Sequence, residues 1–239
     1  MKSLEDARGR TLLAALDSIA VAKVATLVLL GDIFDFCLGS NRYFRRKFAP
    51  VGERLTRIAT TGTRVIFFEG NHEFDLAGFG WDGVEFVGGG DLQLDIGNGE
   101  RALLAHGDMI YSSNVYKSFR WLVKSRPVKK AASTLPGNWV ESFALKNSDA
   151  SRAYDRFREI DHGAILGAAR TWLAGRGCQH GIFGHFHVPY AEPHGHGTIM
   201  SLDCWDKPNL LVQRPEGFAR IFLDGDSRLE PLQPLVKLP

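Results

Sequence analysis

Residues Val24–Asp35 read VATLVLLGDIFD, an apolar run rich in valine and leucine that stops at Gly31 and delivers two aspartates, Asp32 and Asp35. An unbroken run of this kind suits a strand buried on both faces of a parallel sheet. Carboxylates just past the C-terminal end of such a strand sit where open α/β sheets bind their ligands. One stretch therefore points to an α/β fold and to a site residue together.

Working outward, the arrangement recurs. Arg64–Phe68 (RVIFF) runs into Glu69-Gly70-Asn71-His72-Glu73, Arg101–Ala105 (RALLA) into His106-Gly107-Asp108, and His180–Phe183 (HGIF) into Gly184-His185-Phe186-His187. Each time an apolar strand ends in a small residue followed by metal-ligand chemistry. A single Gly-Asp or Gly-His pair is ordinary turn composition. Four at strand ends in one chain form a pattern.

In this order, GD-x-x-D, GNH-[DE], HGD and GH-x-H resemble the signature of the calcineurin-like metallophosphoesterases, over a span from about Leu12 to Leu223. The resemblance implies a four-layer αββα sandwich holding two divalent metals between two sheets. It makes Asp32 the bridging ligand, assigns Asn71, His106 and His185 to the second metal, and gives His187 to the first. Carboxylate, amide oxygen and imidazole suit hard divalent cations, and the expected ion is Mn2+, with Fe2+ or Zn2+ accepting the same ligands. His185 and His187, two apart, would project to one side of an extended segment and Phe186 to the other. By the same resemblance His72 is the catalytic residue at the scissile phosphate, donating a proton to the leaving oxygen or stabilising the transition state. Asp35 either orients a ligand or caps the next turn. His162 follows Asp161 in a helical stretch, His180 begins a strand, and His194 and His196 read as surface loop.

Family members begin with a strand ending in D-x-H, which supplies an Asp and a His to the first metal. No D-x-H precedes Asp32 here. With every other motif intact, the expectation is a truncated start; the alternative is a natural variant with a depleted first site. Truncation predicts that sequencing the coding region just upstream of Met1 will find an in-frame apolar strand ending in D-x-H, and its absence would refute it.

The 239 residues are read as a single metallophosphoesterase domain, residues 1–239, with its first strand missing and a helical lid inserted at about 112–152. Residues 4–22 place Leu12, Leu13, Leu16 and Ile19 at helical spacing, and Pro50–Thr60 reads as a short helix. Cys37–Lys47 is expected to be a solvated loop, or else a wall of the substrate entrance, and the glycine-rich Gly78–Gly90 a loop. Asp155–Arg176 reads as a helix, and Thr198–Leu202 and Phe218–Leu223 as strands completing the second sheet. A net charge of +2 by itself argues neither for nor against nucleic acid, and no nucleic-acid partner is expected. Three widely spaced cysteines make no disulfide framework, and there is no apolar run of about 18 residues, so the expected location is cytoplasmic, at most peripheral on the inner face of the membrane.

Between His106 and the last motif, Tyr116–Val140 carries Lys117, Arg120, Lys124, Arg126, Lys129 and Lys130 with no acidic residue, interleaved with Phe119, Trp121, Leu122, Val123, Leu135 and Trp139. Such a stretch suits an anionic membrane surface or an amphiphilic phosphate substrate. It resembles the lid of the UDP-2,3-diacylglucosamine hydrolases of lipid A synthesis, through Tyr116-x-x-Phe119-Arg120, Leu135-Pro136, Asn147-Ser148 and Arg152. That likeness implies a nucleotide-sugar lipid substrate, cleaved at its pyrophosphate to UMP and a lipid monophosphate, with Asn71, Tyr116, Asn147, Ser148 and Arg152 binding it. The best-known enzymes of the branch carry arginine where this chain has His72. Two alternatives accompany this reading: another calcineurin-like phosphodiesterase or nucleotide pyrophosphatase, and a metal-deficient homologue acting as a lipid- or partner-binding module.

Overall fold

In the computed structural model the described residues are 1–155, 161–187, 189–205, 208–223 and 229–231, with the side chains of 147–155 and 229–231 outside the description. The chain begins with helix α1 (Ala7–Ala22), strands β1 (Thr26–Leu29) and β2 (Cys37–Leu38), helices α2 (Arg42–Lys47) and α3 (Ala49–Thr60), and strands β3 (Arg64–Phe68), β4 (Glu73–Phe74) and β5 (Val84–Val87). Strands β6 (Asp91–Gly97) and β7 (Glu100–Ala105) precede helices α4 (Asn114–Val123), α5 (Arg126–Thr134), α6 (Gly137–Asp155) and α7 (His162–Leu173). Strands β8 (His180–Phe183), β9 (Tyr190–His194), β10 (Gly197–Ser201), β11 (Asn209–Arg214), β12 (Gly217–Phe222) and β13 (Leu229–Pro231) follow.

The period-two alternation of strand side chains builds the layers. In the parallel sheet β1-β3-β5, Val65 and Phe67 pack with Leu12 and Leu16 of α1 and Val51, Leu55 and Ile58 of α3. Their neighbours Ile66 and Phe68 point the other way, onto Ala102, Leu104, Ile182 and Met200 of the mixed sheet β6-β7-β8-β10-β9. The far face of that sheet, through Leu103, Phe183 and Ile199, meets Ile165, Ala169 and Leu173 of α7. The order is helix, sheet, sheet, helix: a four-layer α/β sandwich. Asp6 starts α1 by accepting from the Gly9 N–H at 2.7 Å, and Lys23 ends it in the left-handed region.

Several expectations needed correction. β1 has only β3 as a strand neighbour among the described residues, so Thr26, Leu27 and Val28 are half-buried and Leu29 alone is buried. The Gly78–Gly90 stretch holds β5, a four-residue VEFV whose pairing with β3 outweighs the glycines around it. Cys37–Lys47 is no solvated loop: Cys37, Leu38, Asn41 and Phe44 are buried, while its arginines face water. Of the helix expected over Asp155–Arg176, residues 156–160 lie outside the described residues, and α7 runs from His162 to Leu173, capped by Asp161. Strands β9 and β10 do join the second sheet, whereas β11, β12 and β13 form a sheet of their own. No helix among the described residues is long and apolar enough to cross a membrane.

Helices α4, α5 and α6 form the lid-like insertion, with Leu135-Pro136 at the break between α5 and α6. Asn41 pins that break. Its amide donates to the carbonyls of Ala132 at 3.1 Å and Leu135 at 3.0 Å, while its oxygen accepts the Tyr43 N–H at 3.0 Å and caps α2. Tyr43 and Lys47 of α2 bind Glu141 of α6, at 2.7 and 2.5 Å. Replacing Asn41 by alanine should cost about 2 kcal/mol in urea unfolding, from a lost cap and unpaired buried carbonyls. Hydrogen exchange in α5 should accelerate while β7 and β8 stay protected; unchanged exchange in α5 would show that the pin is dispensable.

Candidate metal centre

Pairing register brings the candidate ligands together. Leu29 lies opposite Phe67 in one sheet and Ala105 opposite Phe183 in the other, so the loops after all four strands leave from the same end. They converge too closely for side chains at the intervening positions. A Cβ on Gly70 would lie 2.2 Å from Asp32 Oδ1, and one on Gly31, whose φ is +87°, would lie 2.7 Å from His106 Nδ1. Here glycine is required by the close approach.

Asp32, His106 and His185 each offer a ligand atom, and these atoms lie within 4.8 Å of one another. Asn71 Oδ1 stands 3.1 Å from His106 Nε2 and 3.0 Å from His185 Nδ1, and Asp32 Oδ2 is 3.3 Å from His106 Nε2. Such separations match atoms ligating one centre at about 2.1 Å, whose edges measure about 3.0–3.4 Å. The tautomer agrees. His106 Nδ1–H donates to the Leu30 carbonyl at 2.7 Å, which turns Nε2 toward two acceptor oxygens. Lone pairs facing one another there need a cation between them, either a proton on Nε2 or a metal. The donor set therefore fits a divalent ion.

Electrostatics tell the same story. Burial opposes charge on His106, but the Asp32 carboxylate more than reverses this and raises its pKa to about 9. Burial likewise works against the Asp32 anion, yet His106 beside it holds the carboxyl well below the usual range. His185 is lowered to about 4 by burial and by the neighbouring His106.

The loops are locked by a residue to which the motif alone assigned no role. Glu73 is fully buried and accepts N–H bonds from Asp32 at 2.9 Å, Ile33 at 2.8 Å, Phe34 at 3.2 Å and Gly70 at 2.9 Å. Burial, then the Asp32 charge, raises its pKa to about 7. No period in the sequence signals this; only the spatial convergence of two loops reveals it.

Other expected residues are placed as follows. His72 is half-buried beside Asn71, and its backbone N–H donates to Asp32 Oδ1 at 3.0 Å. Asp35 takes the Met1 ammonium at 2.7 Å. The extended segment expected at the last motif is absent: His185 and His187 have φ of +70° and +56°. Left-handed backbone breaks the strand alternation, and His187 is exposed, outside the three-residue group. The Tyr116 hydroxyl donates to Asp108 Oδ2 at 3.0 Å. Asn147, Ser148 and Arg152 lie on α6, where side chains fall outside the described residues.

The model of the calcineurin-like phosphoesterase family matches residues 7–189. A UDP-2,3-diacylglucosamine hydrolase of Neisseria meningitidis serogroup B is 25% identical over 89% of this chain and 89% of its own. A protein of the same name from Ralstonia nicotianae is 28% identical over 87% of this chain and 80% of its own. Among solved structures, the zinc-complexed Vps29 of Entamoeba histolytica is 13% identical over 91% of this chain and 86% of its own, at a TM-score of 0.43.

Because His106 must lose its proton to ligate, Mn2+ affinity measured by calorimetry should rise about tenfold per pH unit from pH 7 to about 9 and then level off. Stability of the metal-free protein should move the opposite way. The folded pKa of His106 lies above its ordinary 6.5, so its contribution is full below 6.5 and is lost as pH rises through about 9. The raised Glu73 loses its contribution between 4.5 and about 7, whereas the depressed Asp32 changes nothing above its ordinary 3.8. With the lowered His185 offsetting a small part, a net loss on the order of 4 kcal/mol between pH 6 and 9.5 is expected. A flat affinity profile would remove His106 from the ligand set.

Proposed function

The chain belongs to the calcineurin-like phosphoesterases, metal-dependent hydrolases, and from that premise we propose that it cleaves the pyrophosphate of UDP-2,3-diacylglucosamine to UMP and a lipid monophosphate. The names of its relatives support the substrate. The observation that carries the lipid reading is the lid, whose large apolar side chains face outward. Trp121 is 76% exposed, Trp139 69% and Phe143 73%, with Phe119, Leu122 and Leu135 also in the open. Exposed Lys117, Arg126 and Lys130 lie among them. Aromatic and basic side chains presented together suit the headgroup region of an anionic bilayer, where the substrate resides. On this reading the enzyme works from the cytoplasm, peripheral on the inner face of the membrane.

Asp32, Asn71, His106 and His185 would hold one divalent cation, and Asp32 with His187 would contribute to a second, Mn2+ being the expected ion. When bound, such a pair lowers the pKa of water and offsets charge on phosphoryl oxygens. The chain's own groups do the rest. His72, beside Asn71, donates a proton to the leaving oxygen. Asn71 and Tyr116 bind the phosphate end, and Asn147, Ser148 and Arg152 complete the substrate-binding set implied by the family resemblance. A second reading, a phosphodiesterase or nucleotide pyrophosphatase for a soluble substrate, is favoured by the charged face that α4 turns inward over the site.

Competition between UDP-2,3-diacylglucosamine and UDP-N-acetylglucosamine separates the two. Burial of about four methylenes, at about 0.8 kcal/mol each, is enough for a preference above about 100-fold in kcat/KM for the acylated sugar. Equal rates would favour the soluble substrate, and His106→Ala should abolish hydrolysis in either case.

A further inference from the structure

Tyr116, Arg120 and Lys124 are spaced four apart, so they form one stripe about 12 Å long along the inner side of α4 and its C-cap. At one end the Tyr116 hydroxyl and the Arg120 Nε–H both donate to Asp108 Oδ2. Asp108 lies two residues beyond His106, in the loop that follows β7. At the other end the Lys124 ammonium, with its side chain only 9% exposed, donates to Glu69 Oε1 at 2.9 Å, the Gly70 carbonyl at 2.5 Å and the Glu73 carbonyl at 2.9 Å. These three acceptors bracket Asn71, in the loop that follows β3.

The two loops come from different sheets, and each carries a candidate ligand. Across the gap, Asn71 Oδ1 and His106 Nε2 are 3.1 Å apart. Helix α4 bridges the same two loops, Arg120 pairing with Asp108 and Lys124, one turn further on, with Glu69. Because α4 is the first helix of the lid, its seating and the ligand spacing are one geometric variable.

Resting on the metal-centre reading above, we propose that the lid helix is a working part of that centre. Lys124 and Arg120 are positioning residues that hold the Asn71 and His106 loops at the separation a metal requires, so that lid seating and metal binding favour one another. Neither residue touches the metal. Reciprocity then follows: whatever lid seating contributes to metal affinity, the metal returns as protection of the lid.

The test titrates metal-free protein with MnCl2 by calorimetry, using wild type, Lys124→Arg, the double variant Lys124→Met with Glu69→Gln, and Lys117→Ala as a control on the exposed side of the same helix. The double variant removes both charges of the buried pair and so strands neither. Matching near-UV circular dichroism selects folded samples. The double variant should bind Mn2+ about tenfold or more weakly, Lys124→Arg should recover part of the loss, and Lys117→Ala should match wild type. On wild-type protein, Mn2+ should also slow amide exchange across 117–124.

Unchanged Mn2+ affinity in the folded double variant would overturn the proposal while leaving the metal centre standing, as would protection confined to the loops at 31–35, 70–73 and 106–108. Wild-type protein that takes up no Mn2+ would remove the metal-centre reading itself, and this inference with it.

Discussion

Four backbone N–H groups, from Asp32, Ile33, Phe34 and Gly70, converge on one buried carboxylate, that of Glu73. The rest of the site depends on this convergence. Donors in the loop after β1 have no helix or sheet partner, and burying them unpaired would cost roughly 1–3 kcal/mol each. Glu73 satisfies them together, and in doing so holds Asp32 at a φ of +55°, a conformation a non-glycine residue rarely adopts unaided. The Asp32 carboxylate is thereby aimed at His106, and the centre acquires its demand for a cation.

Around that centre the molecule places charge and apolar surface in an unusual order. Lid helix α4 turns Arg120 and Lys124 inward and leaves Phe119, Trp121 and Leu122 to solvent. Burial lowers the pKa of the Lys124 ammonium, but three acceptors surround it, Glu69 among them. The same helix therefore serves the acidic loops on one side and offers apolar and aromatic surface on the other. An ordinary amphipathic helix would sit the other way round, and the lid would then lack its purchase on the loops.

Much of this was legible along the chain. The strands at Arg64–Phe68 and His180–Phe183 coincide with the apolar runs read from the sequence, because a buried strand must be apolar throughout and glycine marks where it stops. Asp32, Asn71, His106 and His185 follow those stops and meet in space. Less legible were β5, hidden among glycines, and β2 with α2, where Cys37 and Phe44 are buried amid arginines. Each of those segments is too short for a periodic signal to outweigh local composition.

What the sequence by itself determined was the strands and their ends, which follow from hydrophobic period, and, through the resemblance of the motifs after those strands to the calcineurin-like phosphoesterases, the kind of fold and the candidate ligands. Only the tertiary structure decided which way each loop and helix faced. Period four groups Tyr116, Arg120 and Lys124 on one side of a helix, but nothing in the period says whether that side meets water. The acidic groups awaiting them, Asp108 and Glu69, lie in loops after strands of two different sheets. His185 and His187 were likewise placed on one side of an extended segment by spacing, whereas positive φ angles at both turn the chain after β8. Side-chain direction depends on partners distant in sequence, and those partners are brought together only by folding.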